Sequence, residues 1–240
     1  ESPDLLMYAG CDLLHRTIGQ YVLSYRTDDP LLRSERRLAR ADSRRSLTGR
    51  TTDVMRTVLL TIGPTHAGKT TFARQLAQRL PASLVIDQDL QARFLLEHYP
   101  DLVPTEGPNQ IKHDLTGWLI EQAITSSVET IILCNANTSR IGRKQLLDPF
   151  SRSTFRSILV WFDLPEVTIA NRLTHSKRDG REIRGDSSYY DIYQRQRIEP
   201  PVTGESDQIV RLRSTEDVDT FLDQVTDPSL DALFDAVSTD

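Results

Sequence analysis

The stretch GPTHAGKT, residues 63–70, combines the residue types that bind a phosphate chain. Its spacing fits G-x-x-x-x-G-K-[ST], in which two glycines let backbone amides approach anionic oxygens. Lys69 is placed to reach the outer phosphates, and the Thr70 hydroxyl is placed to hold a magnesium ion. An apolar run precedes the loop and a helical pattern follows it, and a helix N-terminus favours anions. The sequence therefore predicts a site for ATP and Mg²⁺.

We call residues 63–70 the phosphate loop. His66 lies inside it and leaves two interpretations, a solvent-facing loop residue, which is favoured, or a catalytic histidine. The predicted ATP-binding residues are Gly63, Pro64, Thr65, His66, Ala67, Gly68, Lys69, Thr70 and Thr71, with Thr70 as the metal ligand.

Two carboxylates follow the next apolar run, in VIDQDLQAR, residues 85–93. A kinase needs a carboxylate near the phosphate loop to orient an acceptor hydroxyl and take its proton. Asp89 is the predicted base, with Asp87 beside it, although Asp89 could equally be the N-cap of the following helix. Arg93 lies one helical turn after Asp89 and can approach the same acceptor.

An arginine-rich segment, NRLTHSKRDGREIRG at residues 171–185, lies behind a predicted helix. Such runs are usually solvated faces. Here the segment is placed to close as a lid over the phosphates, where guanidinium groups would neutralise developing charge. Arg178 and Arg172 are the predicted catalytic contacts.

Other classes of phosphate-loop protein fit less well. The motifs by which a GTPase reads its base are missing, and a motor or transporter ATPase would carry an acid after the run TIILC. That run is instead followed by Asn135-Ala136-Asn137. A small kinase, with an acid after the second strand and an arginine-rich lid after the fourth, fits both features.

Five short apolar runs alternate with helical patterns, which predicts an α/β fold with a parallel sheet flanked by helices. The predicted strands cover residues 57–62, 83–86, 129–134, 157–162 and 208–212. In such a sheet, ligands bind outside the carboxyl ends of the strands. That rule brings the starts of the loops at Gly63, Asp87, Asn135 and Asp163 to one rim.

The chain of 240 residues divides by composition into three predicted parts. Residues 1–50 read as a helical extension with a basic linker, 51–214 as the kinase domain and 215–240 as an acidic helical tail. Two cysteines, no secretory leader and no membrane-length apolar run predict a cytoplasmic protein without membrane contact. Residues 1–50 are the predicted contact for a protein partner or oligomer.

The motifs LLTIGPTHAGKTTFARQL, DQD, IILCNANTSRIGRKQLL and VWFDLPEVTIANRLTHSKRDGR together resemble the phosphate-loop kinase module of polynucleotide 5′-kinases, and also zeta-toxin-like kinases. The resemblance runs from residue 57 to about 213. It implies the P-loop NTPase fold, Asp89 as general base, Arg93 on the acceptor phosphate and Arg178 in the lid. The predicted acceptor-binding residues are Asp87, Arg93, Asn135, Asn137 and Arg140.

Two departures from the family pattern affect the acceptor. An Asp-x-Asn signature is replaced by Asn135-Ala136-Asn137, and the arginine usually three residues after the base is Ala92, with Arg93 one step further. The favoured function is an ATP-dependent kinase for the 5′-hydroxyl of a nucleic-acid end. Two alternatives stay open: a small-molecule kinase, or a nucleotide-binding regulatory subunit.

Overall fold

The computed structural model describes residues 55–80, 82–104, 109–151, 153, 155–176, 188–225 and 230. The predicted N-terminal extension lies outside these residues, as do Lys177, Arg178, Arg181 and Arg184 of the predicted lid. The strands are β1 (Arg56–Ile62), β2 (Ser83–Asp87), β3 (Thr130–Cys134), β4 (Phe155–Phe162) and β5 (Gln208–Leu212). The helices are α1 (Lys69–Arg79), α2 (Gln88–His98), α3 (Gln110–Thr125), α4 (Arg140–Ser151), α5 (Glu166–Thr174), α6 (Tyr189–Arg195) and α7 (Thr215–Gln224), with a 3₁₀ turn at Pro100–Leu102.

The five strands form one sheet in the order β2-β3-β1-β4-β5, and every pair is parallel. β1 therefore lies in the middle, between β3 and β4. Because all strands point the same way, their carboxyl ends meet at one edge. The predicted α/β fold with a parallel sheet flanked by helices is confirmed, and the phosphate loop leaves the sheet from its central strand.

Helices cover both faces of the sheet, which explains why β1 is buried along almost its whole length. Leu59 faces one core, which also holds Phe72 of α1 and Phe221 of α7. Leu60 faces the other core, which holds Ile120 of α3. Each such side chain, once fully buried, contributes roughly 1.5–3 kcal/mol. Phe221 thus attaches the first helix of the predicted acidic tail to the core.

The buried face of α3 differs from the pattern that the sequence suggests. The spacing of the sequence places Ile111, Leu115, Trp118, Leu119, Gln122 and Ala123 on one face of the helix. The fully buried residues are Thr116, Ile120 and Ala123, and Gln122 is exposed. Thr116 is on the buried face, where its hydroxyl donates a hydrogen bond of 2.5 Å to Oε1 of Gln91 on α2.

A buried ion pair closes the base of the β3–α4 loop. The Arg143 side chain is 1% exposed, and its guanidinium donates to both carboxylate oxygens of Glu205 at 2.8 and 3.1 Å. Arg143 also donates to the carbonyls of Asn137 and Glu199. The backbone N–H of Val202 adds a further bond to Glu205. The pair therefore fixes the loop after β3 against the segment that leads into β5.

Replacing Glu205 with glutamine should destabilise the fold, because it leaves the buried Arg143 charge without a counterion. We expect a loss on the order of 3 kcal/mol at pH 7, measured by denaturant unfolding. Partial burial of Glu205 acts to raise its pKa, but hydrogen bonds from Arg143 and Val202 outweigh burial and lower that pKa from its usual 4.5.

A folded-state pKa below the unfolded one gives stability that is present above pH 4.5 and lost as the pH falls through the folded-state value. The difference between wild type and Glu205→Gln should therefore shrink between pH 5 and pH 3. Glu121→Gln, on the exposed face of α3, is the matched control and should change stability little. A Glu205→Gln variant as stable as this control at pH 7 would refute the role of the pair.

Candidate active site

The phosphate loop joins the carboxyl end of β1 to the first residue of α1. Three of its residues adopt left-handed backbone, with φ values of 154° at Gly63, 62° at His66 and 98° at Gly68. The amide of Ala67 donates to the carbonyl of Pro64 at 3.3 Å, which curls the loop over the helix N-terminus. The loop and the first turn of α1 thus form a concave wall with the positive end of the helix dipole behind it.

Gly63 is required by close packing as well as by its φ value. A Cβ built on Gly63 would lie 2.8 Å from Cβ of Phe162 and 3.1 Å from the Phe162 carbonyl oxygen. The amide of Gly63 donates to the carbonyl of Ala136 at 3.1 Å, which joins the phosphate loop to the loop after β3. The start of the phosphate loop is therefore fixed by both neighbouring strands.

Lys69 is half-buried, and its ammonium donates a hydrogen bond of 2.5 Å to the carbonyl of Pro64. Burial lowers the pKa of Lys69, while the nearby Cys134, Asp89 and Asp87 act in the opposite direction. A cation held by a carbonyl inside a loop of amides is prepared to exchange that carbonyl for an anionic oxygen. Binding of the outer phosphates by Lys69 stays a prediction.

Asp87 is buried at the end of β2 beside the phosphate loop. Its carboxylate accepts from the backbone N–H of Asp89 at 3.0 Å, so Asp87 is the N-cap of α2. The alternative in which Asp89 is the cap is wrong, because Asp89 already lies in the first helical turn. The Thr70 hydroxyl lies 3.5 Å from the other Asp87 oxygen. Burial, and then the charge of Asp89, raise the pKa of Asp87.

The oxygens of Thr70 and Asp87 are hard donors that fit a magnesium ion, which keeps several waters and takes its other ligands from phosphates. Within the described residues there is no group of three or more histidine, cysteine or acidic side chains that could hold a metal without such a ligand. Cys134 lies next to Thr70, with its sulfur 3.7 Å from the Thr70 hydroxyl oxygen. Burial raises the pKa of Cys134 to about 11, so it is a neutral wall residue.

A cleft of about 620 Å³ opens over the phosphate loop, and we call it the nucleotide cleft. Asp89 is exposed and lines this cleft together with Lys69, so the predicted base and the predicted phosphate ligand share one cavity. The other polar side chains on its walls are Thr65, His66, Thr70, Thr71, Gln75, Asn135, Arg172, Ser176, Tyr189, Gln196, Thr215 and Asp219.

A second cleft of about 1010 Å³ lies behind Asn135, and we call it the acceptor cleft. Asn135, Ala136, Ile192 and Gln196 line both cavities and form the wall between them. The Asn135 amide donates to Oε1 of Gln88, which fixes its orientation. The predicted acceptor residue Asn135 therefore faces both cavities.

Asn137 and Arg140, two of the predicted acceptor-binding residues, contact other parts of the protein in the structure. Asn137 is buried with φ 47°, and its amide donates 2.7 Å to the carbonyl of Thr61, so it holds the loop to β1. Arg140 lies outside both clefts and pairs with Glu205 at 3.2 Å. Arg93 is exposed on α2 and lines neither cleft. Acceptor binding by these three residues stays a prediction.

Arg172 lines the nucleotide cleft, where its guanidinium donates to the carbonyl of Ala67 at 2.8 Å and to the Thr215 hydroxyl at 3.2 Å. It therefore braces the back of the phosphate loop in this structure. Arg178, the other predicted catalytic arginine, lies outside the described residues.

His66 is half-buried and makes contacts that the sequence does not indicate. Its Nε2 lies 2.8 Å from the Ser176 hydroxyl, and its ring meets Tyr189 edge-on at 4.7 Å. Ser176 lies inside the predicted lid segment and Tyr189 follows that segment in the sequence, so His66 connects the phosphate loop to both.

Gln196 is a site residue that the sequence analysis missed. Its Oε1 accepts the backbone N–H of Thr65 at 2.8 Å, and its side chain lines both clefts. The two residues are 131 positions apart in the chain, and no local pattern marks a lone glutamine after a helix.

The strand order and the phosphate loop define the P-loop NTPase fold. A protein-family model described as an AAA domain matches residues 58–200, and the chain belongs to that family. None of the described helices is long and apolar enough to span a membrane.

Solved structures share this fold at low sequence identity. A protein from Chloroflexus aurantiacus, provisionally assigned as a kinase, matches with a TM-score of 0.52 and 15% identity, covering 71% of this chain and 97% of its own. The Mycobacterium tuberculosis APS kinase CysC, solved with AMPPNP and APS, matches with a TM-score of 0.50 and 12% identity, covering 72% of this chain and 97% of its own. No curated protein matches the chain in sequence.

Replacing Gly63 with alanine should destabilise the protein, because the new Cβ would collide with Phe162 while the backbone is held at a positive φ. We expect a loss of about 1–3 kcal/mol from backbone strain, with the collision adding to it. Gly117→Ala is the matched control, since a Cβ there meets nothing within 4 Å inside a helix, and it should gain up to about 1 kcal/mol. Equal thermal midpoints for the two variants would contradict the packing at Gly63.

Proposed function

We propose that this protein is an ATP-dependent phosphotransferase that moves the γ-phosphate of ATP to a hydroxyl acceptor. The observation that carries the proposal is the placement of Lys69 and Asp89 on the walls of one cleft. The family match over residues 58–200 and the fold shared with kinases support it. A cation for the phosphate and a carboxylate for the acceptor are the two groups that such a transfer needs.

In the proposed reaction the amides of the phosphate loop and Lys69 hold the β- and γ-phosphates. Asp89 accepts the proton of the acceptor hydroxyl as the acceptor oxygen forms a bond to the γ-phosphorus. The bond from that phosphorus to the β–γ bridging oxygen breaks, and ADP leaves with the bond's electron pair. A magnesium ion, held by Thr70 and by water on Asp87, would neutralise phosphate charge when bound. The Arg172 guanidinium stabilises the loop through its hydrogen bond to the Ala67 carbonyl. In the proposed reaction it can exchange that carbonyl for a phosphate oxygen.

For the acceptor we propose the 5′-hydroxyl of a nucleic-acid end, as the resemblance to polynucleotide 5′-kinases implies. The acceptor cleft adjoins the nucleotide cleft and has two arginines on its wall, Arg195 and Arg197, which suit a polyanion. A small-molecule acceptor is the second candidate, because a cavity of about 1010 Å³ is also of the size that holds one compact ligand.

Asp89→Asn should lower kcat by about 10²–10⁴-fold while the affinity for ATP stays nearly unchanged, because the base acts on the acceptor rather than on ATP. The measurement pairs steady-state ADP release with equilibrium binding of an ATP analogue. Asp114→Asn, exposed on α3, is the matched control and should keep full turnover. Loss of ATP binding in Asp89→Asn would make Asp89 a magnesium or structural group instead.

Lys69→Ala should lower turnover by about 10²–10³-fold, because it removes a positive charge aimed at the transferred phosphate. ATP affinity should also fall, since the same ammonium reaches the outer phosphates in the ground state. Full turnover in this variant would refute the proposed site.

ADP release should be measured with 5′-hydroxyl oligonucleotides, with nucleosides, with sugars and with no acceptor. Turnover with oligonucleotides alone supports the nucleic-acid proposal, and turnover with a sugar or nucleoside alone supports the small-molecule candidate. ATP binding without turnover on any acceptor would favour a regulatory subunit, for which the amide Asn135 in place of a carboxylate is the motivating feature.

A further inference from the structure

Among the described residues, the polar side chains that line the acceptor cleft are mostly uncharged, and none of them is acidic. Carboxamides and hydroxyls make up most of its polar wall, namely Gln88, Gln110, Thr116, Asn135, Asn137, Thr138, Ser139, Gln145 and Gln196. None of the lining residues, all within the described part of the chain, is an aspartate or glutamate. Such a wall can donate hydrogen bonds to a polar ligand and accept them, and it places no negative charge against that ligand.

The formal charges on this wall are those of two guanidinium groups. Arg197 is exposed, and one of its terminal nitrogens donates to the backbone carbonyls of Gln194 and Gln196 rather than to a carboxylate. Arg195 is also exposed and has Asp191 one helical turn before it. The Asp191 carboxylate accepts from the Ser188 hydroxyl at 2.6 Å and from the Ser188 amide at 3.1 Å, which engages it at the helix start.

His113 adds a ring that can donate and accept hydrogen bonds. Burial lowers its pKa, and the positive charge of Lys112 acts in the same direction while Asp114 opposes both. The permanent charges of the cleft are those of Arg195 and Arg197.

We propose that the acceptor cleft binds an alcohol that carries its own phosphate group, with Arg197 and Arg195 on that phosphate and the carboxamides on its uncharged part. The inference rests on the proposed function and narrows it to acceptors that already bear a phosphate. It assigns the acceptor phosphate to α6 and the loop after it, whereas the family resemblance implies Arg93 on α2. Arg93 lines neither cleft.

The shared wall explains how such an acceptor would meet the nucleotide. Asn135 and Gln196 line both cavities, and each is fixed by a hydrogen bond, to Gln88 and to the amide of Thr65 respectively. An acceptor whose phosphate is held at Arg197 would lie on the side of this wall away from Lys69. Its free hydroxyl can then reach across the wall to the γ-phosphate, near Asp89.

The test is equilibrium binding of adenosine 3′-phosphate to the full chain with the phosphate loop saturated by a nonhydrolysable ATP analogue. We expect binding that the double variant Arg195→Gln/Arg197→Gln weakens by at least about tenfold, since each lost contact is a charge-assisted hydrogen bond. Adenosine should bind the wild type and the double variant equally weakly. Lys144→Gln, which removes an exposed charge outside both clefts, is the control and should bind like the wild type.

Two further probes identify the source of the phosphate. A 5′-hydroxyl oligonucleotide that binds more tightly than adenosine 3′-phosphate indicates a nucleic-acid end, and ribose 5-phosphate that binds more tightly than either indicates a sugar phosphate. The proposal is overturned if adenosine binds as well as adenosine 3′-phosphate, or if Arg93→Gln weakens binding while the double variant does not. Failure of the proposed function is separate, because it would show as ATP binding without ADP release on any acceptor.

Discussion

The site depends on a short stretch of backbone that contacts with distant residues hold in an open, curved conformation beside a cavity. Gly63, His66 and Gly68 adopt left-handed conformations in one turn, which an ordinary loop would relax by closing on itself. The surroundings prevent that: Phe162 packs against Gly63, and Gln196 holds the amide of Thr65. The two-sided core of the sheet stabilises the fold enough to tolerate this strain, and the loop is held at the carboxyl end of the central strand.

Charged side chains near that loop line two neighbouring cavities, and the two cavities differ in their charges. The nucleotide cleft contains Lys69 together with Asp89, so a phosphate and a proton acceptor can lie in one space. The acceptor cleft has arginines without lining acids. The wall between them has two carboxamides, Asn135 and Gln196, beside the apolar Ala136 and Ile192, so it can form hydrogen bonds with a hydroxyl and carries no charge that would compete with the phosphate. In the proposed transfer each of the two anionic ligands would therefore have its own cations.

The sequence predicted the parts of this arrangement that are encoded locally. Strand β5 was placed at its observed bounds, and the other strands within two residues, because short β-branched runs between turn residues have few other solutions. The phosphate loop was likewise readable from spacing. Roles that depend on tertiary contacts could not be predicted from local spacing. The N-cap of α2 is Asp87 rather than Asp89, and Asn137 is buried against Thr61. Gln196 was missed because its partner in the phosphate loop is remote in sequence.

The central claim is that the amides of the phosphate loop and Lys69 hold the phosphates of a nucleotide opposite Asp89. A crystal structure of the full chain with a nonhydrolysable ATP analogue and magnesium tests this most directly. The account predicts that the Lys69 ammonium leaves the Pro64 carbonyl, now 2.5 Å away, for the outer phosphates, with the γ-phosphate between Lys69 and Asp89. A structure in which Lys69 stays on Pro64 and the triphosphate lies elsewhere would contradict it.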